Sequence, residues 1–141
     1  MKPLLPTPSV KALLTLADLP TTDLDTATAL RLFGIEENGR LQGMVGYELH
    51  SEHILLRSLA VDPSQRGRGL GRRLVAHAEQ MAQRDGATSA WLLTTTAEDF
   101  FSANGYSAAG RDSAPDAIRG TSQFSSLCPA SSAFMCKRLG G

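Results

Sequence analysis

Val61-Asp-Pro-Ser-Gln-Arg-Gly-Arg-Gly-Leu-Gly71 sets three glycines and two arginines between an apolar run and an amphipathic one. Upstream, His53-Ile-Leu-Leu-Arg-Ser-Leu-Ala-Val61 is rich in branched apolar residues and stops at Asp62-Pro63, the pattern of a buried strand ended by a breaker. Downstream, Leu70, Leu74, Val75, Ala78, Met81 and Ala82 share one helical stripe, opposite Arg72, Arg73, His77, Gln80, Gln83 and Arg84. Gly86 stops that helix. A helix start leaves its first N–H groups without partners and carries partial positive charge, so an anion is favoured there. Gly67, Gly69 and Gly71 have no Cβ, so the backbone can take positive φ and approach a phosphate oxygen closely. Arg66, Arg68 and Arg72 add charge-assisted donors, and the ligand this combination predicts is a pyrophosphate.

The same spacing excludes two common nucleotide chemistries. No Lys-Ser or Lys-Thr pair follows the last glycine, and the glycines alternate instead of following the dinucleotide fingerprint. ATP hydrolysis and hydride transfer are therefore disfavoured. The Arg-Gly-Arg-Gly run has no interleaved aromatic residues and lies between a strand and a helix, unlike an RNA-binding segment.

Working outward, Lys2 to Leu5 reads as a weak first strand, and Val10, Leu13, Leu14 and Leu16 as a short helix ending before Leu19-Pro20. Ala29 to Ile35 reads as a strand, Glu36 to Arg40 as a hairpin turn with an Asn-Gly signal, and Leu41, Gly43, Val45, Tyr47 and Leu49 as one face of its partner. Beyond the central helix come a strand at Ser89–Thr94, a brief helix from Ala97 to Asn104 closed by Gly105, and a short strand from Tyr106. Pro115 to Thr121 predicts a helical turn or two, and Ala133 to Leu139 a last strand. Antiparallel pairing first and a βαβ step in the middle give an α/β (α+β) fold: a mixed, mostly antiparallel central sheet with helices on both faces.

The 141 residues suffice for a single domain, 1–141, with its own core. Fourteen basic residues balance fourteen acidic ones, so no global field draws the chain to nucleic acid or an acidic membrane. There are two cysteines, no secretory signal and no apolar run of spanning length, the profile of a reduced cytoplasmic protein.

Leu59-Ala-Val-Asp-Pro-Ser-Gln-Arg-Gly-Arg-Gly-Leu-Gly71 resembles the acetyl-CoA-binding motif of the GNAT N-acetyltransferases, with Arg66, Gly69 and Gly71 at its defining positions. A second signature of that family is matched by Thr94, Ala97, Phe101 and Gly105-Tyr106. The local runs Leu55–Val61, Leu92–Phe101 and Gln123–Pro129 are similar to the arsenic-resistance branch of the family and to short-form N-acetylglutamate synthases. The resemblance implies acetyl-CoA as co-substrate, no metal, and a small-molecule amine as acceptor. That acceptor would be the α-amino group of a small amino acid or of an amino-acid-like toxin of the phosphinothricin or arsinothricin type. It also implies a homodimer. Two alternatives stay open: an N-acetylglutamate synthase-like amino-acid acetyltransferase, and an acyl-CoA-binding module without catalysis.

The resemblance places coenzyme A against Leu59, Ala60 and Val61 and against Arg66, Gly67, Arg68, Gly69, Leu70, Gly71, Arg72 and Phe101. In the family the strand bulges and splays near Leu59, whose backbone would supply the oxyanion donor. Phe101 stands where most members carry a tyrosine assigned as the acid for the departing thiolate, and it cannot donate a proton. Thr94, Thr96 or Ser58 could stand in, or water. Arg57, in an otherwise apolar strand, needs a partner, either an acidic head group of the substrate or an internal salt bridge. Ser58 shares its face only if a bulge intervenes. Glu48, His50, His53, Glu98 and Asp99 are the available bases; Glu98 and Asp99 open a helix and the two histidines read as surface residues. Leu59, Ser58 and Glu48 are thus the catalytic candidates, and Arg57, Ser58, Thr94 and Cys128 the substrate-facing ones. Cys128 and Cys136 match no zinc or disulfide spacing.

Overall fold

A computed structural model of the chain describes residues 1–17, 19, 21, 30–121, 124 and 132–140. Among the described residues seven strands form one sheet: β1 (Lys2–Leu4), β2 (Leu30–Glu37), β3 (Arg40–His50), β4 (His53–Val61), β5 (Ser89–Thr94), β6 (Ser107–Ala108) and β7 (Ala133–Arg138). The helices are α1 (Pro8–Leu16), α2 (Leu70–Arg84), α3 (Glu98–Ala103) and α4 (Asp116–Arg119). The strand order is β1-β2-β3-β4-β5-β7-β6, and β4–β5, joined through α2, is the parallel pair. The other pairs are antiparallel, as the succession of strands and turns predicts.

Local chemistry explains the turns. Asn38 and Gly39 both take positive φ, the primed geometry that matches strand twist in a two-residue hairpin. Thr7 caps α1 by accepting from the Val10 amide, with Pro8 in the first turn where a missing N–H costs nothing. At the end of α2, Gly86 takes φ +96° and the Ala87 amide turns back to the Ala82 carbonyl at 2.9 Å.

The alternation of the strands divides the core between the two faces of the sheet. Phe33, Val45, Tyr47, Ile54, Leu56, Ala90, Leu92 and Met135 pack with Leu74, Val75, Ala78 and Ala82 of α2 and Phe101 of α3. On the opposite face Leu32, Met44 and Ala60 meet Val10, Leu13 and Leu14 of α1, and Leu55 and Phe134 meet Ile118 of α4.

Two irregularities change the expected pattern. Leu41 was expected on the face of Val45 and Tyr47, yet it packs with the α1 cluster. The register slips between Ile35 and Glu36, so two residues of β3 oppose one of β2 and Leu41 is turned over. The other irregularity, in β4, builds the site. Element ends also shift: β2 runs on to Glu37, α3 and α4 lie inside the expected spans, and Tyr106 precedes β6 instead of opening it.

Candidate functional site

Along β3 and β4 the ladder pairs Met44 with Ala60 and Gly46 with Arg57, so β4 spends one residue more than β3 over this step. The extra residue is a bulge at Ser58, whose φ of +61° lies in the left-handed region that a serine seldom adopts. The bulge reverses the alternation. Ile54 and Leu56 face α2 before it, and Leu59 and Val61 do so after it. β4 also pairs with β5 over only His53–Leu55 and Ser89–Trp91. Beyond that point the two strands part, and residues 56–61 of β4 pair with β3 alone, leaving a backbone edge open to a ligand.

That edge runs directly into the glycine loop. The Asp62 carboxylate accepts from the Ser64 amide at 2.9 Å and the Ser64 hydroxyl at 2.7 Å, shaping a 3-10 turn at Pro63–Gln65. The Ser64 hydroxyl, then its amide, hold the Asp62 carboxyl below the usual carboxylate range. Gly67 and Gly69 take φ of +82° and +75°, and Gly69 caps α2 without any side-chain hydrogen bond. The first turn of α2 holds no acidic residue, so nothing of its own neutralises the helix start. Arg66, Arg68 and Arg72 are exposed around it; Arg68 Nη1 donates to Gln65 Oε1 at 2.6 Å. Cations beside the positive end of a helix are unfavourable alone and become favourable once an anion sits between them. The donor set therefore fits the diphosphate of coenzyme A.

Gly71 is helical, and a Cβ there would lie 3.2 Å from Cζ of Phe100. The two signature segments thus touch through Phe100, which the sequence reading passed over. The neighbouring Phe101 is 6 % exposed and packs edge-on against Phe100 and Tyr106, at 5.1 and 5.6 Å between centroids. Its ring belongs to the main core. Thr94 ends β5, and its hydroxyl accepts from the Ala97 amide at 3.0 Å, fixing the entry into α3.

On the face of the sheet opposite α2, three polar residues gather beside the bulge. The Arg57 side chain is 0 % exposed and its Nη1 donates to Glu48 Oε2 at 2.8 Å. Arg57 Nε lies 3.2 Å from the Ser58 hydroxyl, and Glu48 Oε1 lies 2.9 Å from His50 Nε2. Arg57, Ser58 and Glu48 lie together, and Arg57 has the internal ion pair that the sequence left as one of two options. His50, read from sequence as a surface residue, is half-buried and belongs to this cluster. Ser132, just before β7, is 7 % exposed and its hydroxyl has no hydrogen-bond partner among the described residues. No spacing rule could have singled it out. Cys128 lies outside the described residues. Cys136 is a half-buried free thiol on β7, and among the described residues no three His, Cys, Asp or Glu side chains converge as a metal site. Among the described residues no helix is long and apolar enough to cross a membrane.

The parallel pair of the mixed sheet parts beyond Leu55, three residues before the bulge at Ser58, and a glycine-lined helix start lies at the end of the exposed edge. The model of the acetyltransferase (GNAT) family matches residues 6–110, and the chain belongs to that family. A search of curated proteins finds no match. Among solved structures, the chain is similar to N-acetylglutamate synthase from Neisseria gonorrhoeae, complexed with coenzyme A and N-acetyl-glutamate, at 22 % identity and a TM-score of 0.78. The match covers 95 % of this chain and 33 % of the synthase, so the chain spans about a third of that protein's length. Rv2747 from Mycobacterium tuberculosis, in complex with CoA, is similar at 18 % identity and a TM-score of 0.75, over 94 % and 93 % of the two chains. Tetrahymena GCN5 is similar at 14 % and 0.74, over 94 % and 85 %. At these identities the likeness shows a common fold.

Proposed function

We propose that this acetyltransferase, acting as one domain, uses acetyl-CoA to acetylate the α-amino group of a small amino acid or of an amino-acid-like toxin of the phosphinothricin or arsinothricin type. The observation that carries the cofactor assignment is the start of α2, which has no acidic residue in its first turn and no side-chain cap, ringed by Arg66, Arg68 and Arg72 at the end of an open strand edge. The acceptor class rests on the likeness of the runs 55–61 and 92–101 to the arsenic-resistance branch, and on a buried polar cluster, Arg57, Ser58 and Glu48, beside the bulge. An N-acetylglutamate synthase-like activity would use the same geometry with glutamate as acceptor, and the N-acetyl-glutamate of the gonococcal complex is in keeping with it.

The thioester, when bound, supplies the acetyl group. The chain's part is to orient and to stabilise. Backbone N–H groups near Leu59, held between the ladder pairs Gly46–Arg57 and Met44–Ala60 on the stretch of β4 that β5 does not cover, would serve a developing oxyanion. A preorganised donor of this kind lowers a barrier by about 3 kcal/mol. The Ser132 hydroxyl, buried and without a hydrogen-bond partner among the described residues, offers a donor to a carboxylate, phosphinate or arsonate-type group. A thiol near the ~8.5 of free cysteine leaves as thiolate at little cost, so the absence of a phenol at Phe101 removes no essential step.

The test is to mix the purified chain with acetyl-CoA and, separately, glutamate, phosphinothricin, arsinothricin, a polyamine and a lysine peptide, and to follow thiol release. Turnover with one of the first three is expected. Turnover confined to the polyamine or peptide overturns the acceptor class. Saturable coenzyme A binding with no turnover supports the binding-module alternative, and no binding removes the assignment altogether.

A further inference from the structure

Three non-glycine residues take positive φ among the described residues: Asn38 at +55°, Ser51 at +61° and Ser58 at +61°. Asn38 and Ser51 lie in the turns of the two hairpins, where such a backbone is ordinary. Ser58 lies inside β4, is 6 % exposed and immediately precedes Leu59. A left-handed backbone strains any residue with a Cβ and persists only where its surroundings hold it. Here they are one line of side chains. Arg57 Nε donates to the Ser58 hydroxyl at 3.2 Å, and Arg57 Nη1 donates to Glu48 Oε2 at 2.8 Å, the two charged side chains being 0 % and 7 % exposed. A buried ion pair adds little to stability, because desolvation offsets the Coulomb gain. Backbone strain and a buried pair, neither of which adds much to stability, thus meet at the residue before the open edge. We infer that Ser58 is a positioning residue for acyl transfer: the Glu48–Arg57–Ser58 line locks its left-handed backbone and so sets the direction of the Leu59 N–H. The inference rests on the acetyltransferase reading above.

The lock follows from the ladder. Between the pairs Gly46–Arg57 and Met44–Ala60, β3 contributes Val45 alone while β4 contributes both Ser58 and Leu59. The planar peptide that carries the Leu59 N–H begins at Ser58, so φ and ψ of Ser58 aim it. β5 does not cover that stretch, and no second neighbour holds it from the other side. Arg57 stands opposite Gly46, and Glu48 is two residues further along β3, so the guanidinium ties the bulge to its partner strand. Its planar fork holds the hydroxyl through Nε and the carboxylate through Nη1 at the same time, which a point charge cannot do. Glu48 Oε1 lies 2.9 Å from His50 Nε2, so the carboxylate is engaged at both oxygens.

Ser58 exchanges no atom in the reaction. The neutral amine forms the C–N bond and gives one proton to water, and the C–S bond breaks with its electron pair leaving on sulfur. The charge that gathers meanwhile on the carbonyl oxygen is what an aimed N–H meets, and small errors of aim at such a donor are costly in rate.

Ser58→Gly separates positioning from folding, since glycine takes positive φ freely but offers Arg57 no hydroxyl. The variant should melt close to wild type, keep its coenzyme A Kd and its KM for the amine, and lose about 10- to 100-fold in kcat. Nitrogen-15 relaxation reads the lock without reference to activity: the Leu59 amide should be rigid in the unmodified chain, with an order parameter near ~0.85, and fall below about 0.6 in Ser58→Gly. Arg57→Lys keeps the charge toward Glu48 but not the fork, so it should lose kcat as Ser58→Gly does, and the double variant should lose no more than either alone. An equally rigid Leu59 amide in Ser58→Gly, or independent losses that multiply in the double variant, overturns the lock. So does a raised amine KM with unchanged kcat in Arg57→Lys, which gives Arg57 to the acceptor instead. Wild-type kcat in Ser58→Gly overturns the inference while leaving the acetyltransferase reading standing. No turnover of any amine by the unmodified chain overturns both.

Discussion

Gly69→Ala and Gly86→Ala form a matched pair that isolates what the loop does. Both glycines sit at positive φ, +75° at the start of α2 and +96° just beyond its end. A Cβ at Gly86 meets nothing within 4 Å, and one at Gly69 meets only Arg72 Nη2 at 3.8 Å, so neither substitution causes a clash. What each costs is backbone strain, about 1–2 kcal/mol for an L-residue held in the left-handed region. In a domain of this size that lowers Tm by roughly 3–8 °C, and the two variants should melt alike. They should differ in coenzyme A affinity. At Gly69 the new methyl and any relaxation of φ disturb the helix-start amides, and charge-assisted hydrogen bonds contribute about 1.5–3 kcal/mol each. Losing one weakens Kd roughly 10- to 150-fold. Gly86 lies at the opposite end of α2 and should leave Kd unchanged. Thermal melts and titration calorimetry with coenzyme A read both quantities. Equal Tm losses with equal, wild-type Kd values would refute the reasoning that this helix start grips the diphosphate.

Three other outcomes follow from burial and pairing. Phe101→Tyr places a hydroxyl in the core between Phe100 and Tyr106, so it should cost about 1–3 kcal/mol in urea unfolding without raising kcat; a higher kcat means the missing phenol matters after all. Ser132→Ala removes a buried hydroxyl that has no partner, so Tm should hold or rise while KM for the amine increases; a KM that does not move takes Ser132 out of the acceptor site. Asp85 accepts from Tyr47 at 2.6 Å and from Arg31, and those bonds, the Tyr47 one foremost, hold its carboxyl below the usual range. Its contribution is present above the unfolded carboxylate pKa and is lost as pH falls through the folded one, so urea midpoints measured downward from about pH 5 should fall less steeply in Asp85→Asn than in wild type. Parallel slopes would show that the Asp85 cluster is not coupled to folding.

Much of this architecture was written locally. The helix of α2 follows from its apolar stripe and its two terminal glycines, and the hairpin at Asn38-Gly39 from residues that tolerate positive φ. The loop's backbone was legible for the same reason: glycines at alternate positions between strand and helix supply the positive φ that Gly67 and Gly69 take. Where the sequence misled, the cause was a bulge. A slip of one residue inverts every side chain beyond it, and neither Leu41 nor Ser58 carries a local mark of the slip.

From its order of residues alone, then, this chain determined its strands and helices, the succession that makes the sheet mixed, and the acid-free start of α2. Each is decided by propensities and periodicities acting over a few neighbours. Tertiary structure alone decided which side of the sheet each end of β4 faces, where β4 and β5 separate, that Phe100 lies against Gly71, and that Arg57, Glu48 and His50 form one hydrogen-bonded line. Those are contacts between strands, and strand register is settled by the packing of the whole core, which no short stretch of sequence contains.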